Sequence, residues 1–107
     1  MIARTWRGWV RRQDADAYAA YMRETGIAGY TTTAGNRLTL MLRRDVEDRT
    51  EFVMLTLWDS MQSVKAFAGE DPQRAVFYPE DDRYLVEREW TATHFEVESA
   101  VGLPPHQ

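Results

Sequence analysis

A chain of 107 residues with 13 Lys plus Arg against 17 Asp plus Glu, a formal charge of −4 and no cysteine is long enough for one core and too short for two. Disulfide staples, thiolate nucleophiles and thiolate metal sites are excluded, and with two histidines a zinc site would depend on carboxylates, so no metal is expected. Net acidity opposes nucleic-acid binding, and the two basic clusters, Arg11-Arg12 and Arg43-Arg44, read as strand-end charges rather than a phosphate-tracking surface.

The N-terminus meets arginine at position 4, without the continuous apolar stretch of a signal peptide, which predicts a cytoplasmic protein. The longest mostly apolar run, Phe52 to Trp58, is seven residues, against roughly 20 for a membrane span. Residues 2 to 10 mix β-branched, aromatic and arginine residues, with Ile2, Arg4 and Trp6 on one parity, and predict a first strand. Asp14 offers an N-cap for a helix over Ala15 to Thr25, where Ala17, Tyr18, Tyr21, Met22 and Thr25 form one stripe and Gly26 supplies the stop. Residues 27 to 37, with Gly29, a Thr31-Thr32-Thr33 run and Gly35-Asn36, read as a loop, with Tyr30 packed inward.

Leu38 to Arg44 and Glu51 to Trp58 predict two antiparallel strands flanking the polar segment 45 to 50. Both parities of the third strand are apolar (Phe52, Met54 and Trp58; Val53, Leu55 and Leu57), and Leu38, Leu40 and Leu42 share a face of the second. Both faces of this sheet therefore want burial. Helices can cover one face, and a second copy of the chain is the natural cover for the other, which predicts a homodimer through the sheet face. Ser60 N-caps a second helix carrying Met61, Val64, Phe67 and Ala68, ended by Gly69. Asp71-Pro72 opens a short helical turn that Pro79 stops. After the acidic loop 80 to 82, residues 84 to 97 read as a long last strand, bent or bulged near Trp90. The fold class is α+β, a ferredoxin-like βαββαβ unit with an antiparallel sheet over residues 1–98, followed by a C-terminal tail over 99–107.

His94, on the parity of Ala92 and Trp90, is the side chain best poised for proton transfer near neutral pH; the alternative is a half-buried strand histidine that merely hydrogen-bonds a backbone or carboxylate group. His106 sits in the tail and is set aside. Arg4 is costly to bury without an anion: it either pairs with Glu87 or Glu89 across the sheet or holds a substrate enolate or phenolate. Trp6, Tyr18, Tyr21, Phe67, Phe77 and Tyr78 are the aromatic candidates for lining a pocket between sheet and helices, which suits a flat ring ligand, although such side chains also build cores. The run Glu80-Asp81-Asp82 lacks the spacing of a calcium loop and reads as a solvated or Arg-paired segment.

The element order, with LTLWDSMQSVKAFAG at 55 to 69 and ATHFEV at 92 to 97, resembles the antibiotic biosynthesis monooxygenase family of dimeric α+β barrels, through the Trp58-Asp59-Ser60 motif followed by an amphipathic helix. The resemblance implies sheets packed face to face in a dimer and a pocket between sheet and helices. It also implies a choice of activities: cofactor-free oxygenation of polyphenols, haem degradation, or small proton-transfer and cyclisation reactions. The haem-degrading branch fits poorly, because its helix tryptophan would fall at Phe67 and its iron-binding histidine at Phe77, and phenylalanine cannot ligate iron. The resemblance therefore implies a cofactor-independent monooxygenase-like enzyme acting on a small aromatic or polyketide-like substrate. His94 would serve as base and Arg4 as anion-holding group. The alternatives are a proton-transfer isomerase or cyclase that uses no oxygen, or a non-catalytic dimeric module binding a small hydrophobic molecule.

Overall fold

A computed structural model describes residues 1–102; His106 and the end of the tail lie outside the described residues. The architecture is α+β with one antiparallel sheet in the order β2-β3-β1-β4, and β5 also pairing with β1. Strand β1 (Ile2–Arg11) is central, bonded to β3 (Arg49–Trp58) on one side and to β4 (Leu85–Arg88) and β5 (Thr93–Glu96) on the other. Strand β2 (Asn36–Val46) forms the far edge. This is the ferredoxin-like order with its last strand in two pieces.

The period-2 alternation of β1 and β3 decides which side chains meet the helices. Arg4, Trp6 and Val10 of β1, with Phe52, Met54, Thr56 and Trp58 of β3, are buried on one face. Helices α1 (Ala15–Glu24), α2 (Gly26–Thr31) and α3 (Met61–Ala68) supply Tyr18, Met22, Tyr30 and Val64 to the same core. The opposite face carries Leu38, Leu40 and Leu42, in register with Leu57, Leu55 and Val53. Leu40 and Leu42 are 39% and 45% exposed there, and Phe95 of β5 is 55% exposed.

Several local expectations are corrected. The Ser60 cap is present, its Oγ accepting from the Ser63 N–H at 3.3 Å, and Gly69 ends α3 at φ 96°. Asp14, by contrast, makes no cap bond, because a 3-10 turn over Arg12–Asp14 already holds it in helical conformation and its carboxylate faces Arg11 at 3.6 Å. The expected loop from 27 contains helix α2. Its glycines are there for close packing: a Cβ at Gly26 would meet Met22 Cε at 2.9 Å, and one at Gly29 would meet the Tyr78 hydroxyl at 2.7 Å. The threonine run ends the helix by turning hydroxyls back, Thr32 to the Ala28 carbonyl and Thr33 to the Gly29 carbonyl, both at 2.8 Å.

The helical turn expected at Asp71-Pro72 is instead an irregular strap over residues 69–80, and the helix lies later, α4 (Asp81–Tyr84), inside the acidic run. The strap forms an isolated bridge between Arg74 and Thr91. It also bonds Ala75 N–H to the Trp90 carbonyl at 3.1 Å and receives Ala92 N–H on the Gln73 carbonyl at 2.8 Å. These bonds occupy the backbone where the last strand would have continued, so that strand breaks at Trp90, leaving β4 and β5. The two basic clusters are neutralised: Arg11 faces Asp14, Arg12 Asp45, Arg43 Asp16 and Arg44 Glu51. Among the described residues, no helix is long and apolar enough to cross a membrane.

Candidate functional site

Between β1 and helices α1 and α2, closed on the outside by Val76, Tyr78 and Asp81, lies a small internal cavity whose floor is Arg4 and Trp6. Its volume is about 10 Å³, room for about one water molecule. Arg4 is 2% exposed. One guanidinium nitrogen donates to the Arg74 carbonyl at 3.2 Å, the group lies over the Phe67 ring at 5.5 Å, and its Nε has no partner. The ion pair expected with Glu87 or Glu89 does not form. Those acids serve the other side of the sheet, Glu89 holding Arg7 at 2.9 Å and Glu87 holding Arg49 at 2.6 Å. Arg4 makes no ion pair among the described residues. Burial pulls its pKa below the ordinary arginine value, with the neighbouring Tyr30 and Tyr78 phenols opposing that shift.

Three further groups complete the chemistry of the lining. Tyr18, supplied by the apolar stripe of α1, is fully buried with its hydroxyl unpartnered. Burial, then the nearby Asp81, raises its pKa above the usual phenol value. Tyr30 from α2 is pushed up to about 12, mainly by burial and against the pull of Arg4, so it is a neutral hydroxyl at physiological pH. Asp81, read from sequence as part of a solvated loop, is 3% exposed. Its Oδ2 accepts the Tyr78 N–H at 2.7 Å and its Oδ1 is unpartnered, while burial raises its pKa above the carboxylate norm. Its neighbours turn outward, Glu80 to Arg83 at 3.1 Å and Asp82 to Arg88 at 2.5 Å. No three His, Asp or Glu side chains converge as a metal cluster among the described residues.

Of the residues expected at a pocket, Arg4, Trp6, Tyr18 and Tyr78 line this cavity. Three sit just outside its lining. The Tyr21 hydroxyl accepts the Glu80 N–H at 2.9 Å; Phe67 packs on Tyr30 and Trp58 beneath Arg4; Phe77 sits on the strap against Trp6 and Trp90. His94 is in register with Arg4 across β1 and β5, on the same face, but it lines a separate open depression with Met61, Pro72 and Gln73. Its Nε2 is buried and unpartnered. Burial, then the Arg4 charge, lowers its pKa and favours the neutral ring. The structure therefore puts the expected base beside the cavity rather than in its lining. Met22 and Asp81 were not singled out from sequence as lining residues. Met22 was on the helical stripe already, whereas nothing in three consecutive acids says which one points inward.

No protein-family model and no curated protein matches the chain. Solved structures do. A Bacillus cereus protein described as an antibiotic biosynthesis monooxygenase superposes with a TM-score of 0.67 at 14% identity, over 95% of this chain and 97% of that one. A point mutant of MhuD, solved with two manganese protoporphyrin IX molecules per active site, superposes with a TM-score of 0.60 at 16% identity, over 95% and 99%. At these identities the likeness is one of fold: this chain has the antibiotic biosynthesis monooxygenase-type fold. The lining itself does not match a porphyrin-iron site, because no imidazole lines the cavity and Phe77 stands on the strap.

Proposed function

We propose that this chain is a cofactor-independent monooxygenase-like enzyme that deprotonates a small aromatic or polyketide-like substrate and holds the resulting anion on Arg4. The observation that carries the reading is that Arg4, Tyr18 and Asp81, each with one buried, unpartnered polar atom (Nε, Oη and Oδ1), line one aromatic-walled cavity. Buried polar groups are normally satisfied, and a buried guanidinium with no anion beside it is costly to maintain. A cation held in a dry site is worth far more to a developing oxyanion than the same cation in water.

Loss of a proton leaves the substrate with the electron pair that reduces dioxygen. One oxygen atom becomes a new carbonyl on the substrate and the other leaves as water with the two hydrogens removed. The chain's own residues orient the ring, accept the proton, stabilise the anion and exclude solvent. His94 stands as the expected base, its ring neutral and lining the separate depression next to the site. A homodimer through the exposed Leu40, Leu42 and Phe95 face completes the reading.

The test is oxygen uptake with a panel of anthrones and hydroquinones, comparing the native chain, Arg4→Met and His94→Ala. Arg4→Met is expected to lose about 100-fold in rate or more, the scale of one oxyanion-stabilising donor, while remaining folded, because replacing a buried unpaired charge by an apolar side chain is tolerated. Equal rates for His94→Ala would remove His94 from the mechanism. Product without oxygen uptake would point to an isomerase or cyclase, and binding without turnover to a non-catalytic module.

A further inference from the structure

We propose that the strap over residues 69–80 is a lid, and that its withdrawal joins the Arg4 cavity to the His94 depression in one substrate site; this rests on the cation and base assigned above. Arg4 and His94 stand directly opposite in register on β1 and β5, on the same face of the sheet, so their Cβ atoms are about 4.5–5.5 Å apart. Side chains that start this close nevertheless line two separate spaces. The strap passes between them: Pro72 and Gln73 wall the depression, Val76 and Tyr78 wall the cavity, and the Arg74 carbonyl in between accepts from Arg4 at 3.2 Å. The cavity alone holds about 10 Å³, one water and no more. The depression holds about 430 Å³, inside the range of about 300–1,000 Å³ for small-molecule sites. Base and cation reach one molecule only when the wall between them moves.

The strap has the local properties of a segment that opens on its own. None of its residues is buried, and an irregular stretch that contributes so little to a core sits at the low end of local stability. At its head Gly69 has a φ of 96°, and a Cβ there would meet nothing within 4 Å, which leaves room for a pivot. At its foot the Tyr78 N–H on Asp81 Oδ2 at 2.7 Å and the Glu80 N–H on the Tyr21 hydroxyl at 2.9 Å form the anchor. Between pivot and anchor, two backbone bonds hold the strap to the last strand, Ala75 N–H to the Trp90 carbonyl at 3.1 Å and Ala92 N–H to the Gln73 carbonyl at 2.8 Å. The Arg4 bond and the edge-on packing of Phe77 against Trp6 and Trp90 add to them.

Opening also arms the cation. Arg4 Nη2 gives up the Arg74 carbonyl and joins Nε, already unpartnered, so that one edge of the guanidinium offers two parallel N–H groups to an anion. The closed form keeps that guanidinium 2% exposed, and relief of its desolvation offsets the bonds that opening breaks. A ligand moves such an equilibrium only as far as it prefers one state, and an anion that gains the free edge of Arg4 prefers the open one. The closed form is then the resting state, and substrate selects the joined site.

The chain has no cysteine, so one introduced pair is enough to clamp the strap. Arg74 and Thr91 face each other in the isolated bridge and are both exposed; they form a non-hydrogen-bonded pair, whose Cα spacing of about 4.5 Å suits a disulfide. Arg74→Cys/Thr91→Cys holds the strap down when oxidised and frees it when reduced. Both forms are treated with phenylglyoxal, a flat aromatic reagent for arginine, and labelling of Arg4 is followed by mass spectrometry against the exposed Arg23. Arg4 is expected to label at least about tenfold faster in the reduced form, and oxygen uptake with the anthrone and hydroquinone panel to fall by a similar factor on oxidation. Equal labelling of the two forms overturns the lid, while turnover that persists in both leaves the proposed function standing. Labelling that follows the redox state without turnover of any panel member keeps the lid and overturns the function. A measurement on the native chain needs no disulfide: by amide hydrogen exchange, Ala75 and Ala92 are expected to exchange together, at least about tenfold faster than the β1 and β3 amides. Exchange no faster than those amides overturns the lid.

Discussion

His94 and Arg4 sit opposite each other on neighbouring strands, and that register makes the histidine a reporter of the arginine's charge. Two like charges directly opposite on a sheet repel, and burial adds to the cost of protonating the ring. The folded-state pKa of His94 is therefore below that of the unfolded chain, about 6.5, so the unfolded state binds the proton more readily. Stability from this site is fully present above that value and is lost as pH falls through the folded pKa. Thermal melts between about pH 7.5 and 5 are expected to show a decline on the acid side that His94→Gln reduces; identical profiles for both chains would refute the linkage. Arg4 was readable from the parity of the first strand, which puts it on the face of Trp6. Its lack of a carboxylate was not readable, because the acids offered by sequence, Glu87 and Glu89, are spent on Arg49 and Arg7. Asp81 was hidden for a different reason. On a four-residue helix no periodicity accumulates, and only the bond from Tyr78 N–H shows which acid turns inward.

Among the elements, strands and amphipathic helices were legible because their periods repeat over ten or so residues, and glycines misled where they serve packing. Gly26 and Gly29 let α2 approach Met22 and Tyr78, so a breaker signal marks a helix against a wall. Gly35 is the case where the turn itself demands glycine. Its φ is 93°, and a Cβ there would collide with the Ser63 side chain at the start of α3. Its carbonyl also accepts the Asp59 N–H at 2.9 Å, joining the entry to β2 with the exit from β3. Gly35→Ala is expected to cost about 1–3 kcal/mol from backbone strain alone, before the collision is relieved. Chemical denaturation would register this as a lower midpoint at unchanged slope, and a midpoint equal to native would contradict the role given to Gly35. The strap over 69–80 is the element no pattern revealed. It has neither period, and what organises it is pairing with the broken end of the last strand at Trp90 and Ala92.

For the molecule as a whole, the two apolar parities of the third strand already implied a sheet to be covered twice, and the structure covers it once. Val53, Leu55 and Leu57 stand in register with Leu42, Leu40 and Leu38 on the open face, bordered by the ion pairs Arg44 to Glu51 at 2.7 Å and Arg49 to Glu87 at 2.6 Å. An apolar centre with a charged rim is the anatomy of a protein interface, and a contiguous patch of this kind is unusual on a monomer. Sedimentation velocity at micromolar concentration is expected to find a dimer for the native chain and a folded monomer for the Leu40→Glu/Leu42→Glu variant. A native chain that sediments as a monomer would leave the open face unexplained by self-association.

The central position of β1 has a consequence for how the chain comes into being. During synthesis the strand that carries Arg4 leaves the ribosome before its hydrogen-bonding partners, residues 49–58 on one edge and 85–96 on the other. Each edge of β1 must therefore wait, the second longer than the first. Asp81 and the strap are made just before β4, so the residues that close over Arg4 are made after the helices that carry Tyr18 and Tyr30. The nascent chain meanwhile exposes a strand rich in tryptophan with both edges open, the kind of segment that chaperones capture and that aggregates at high expression.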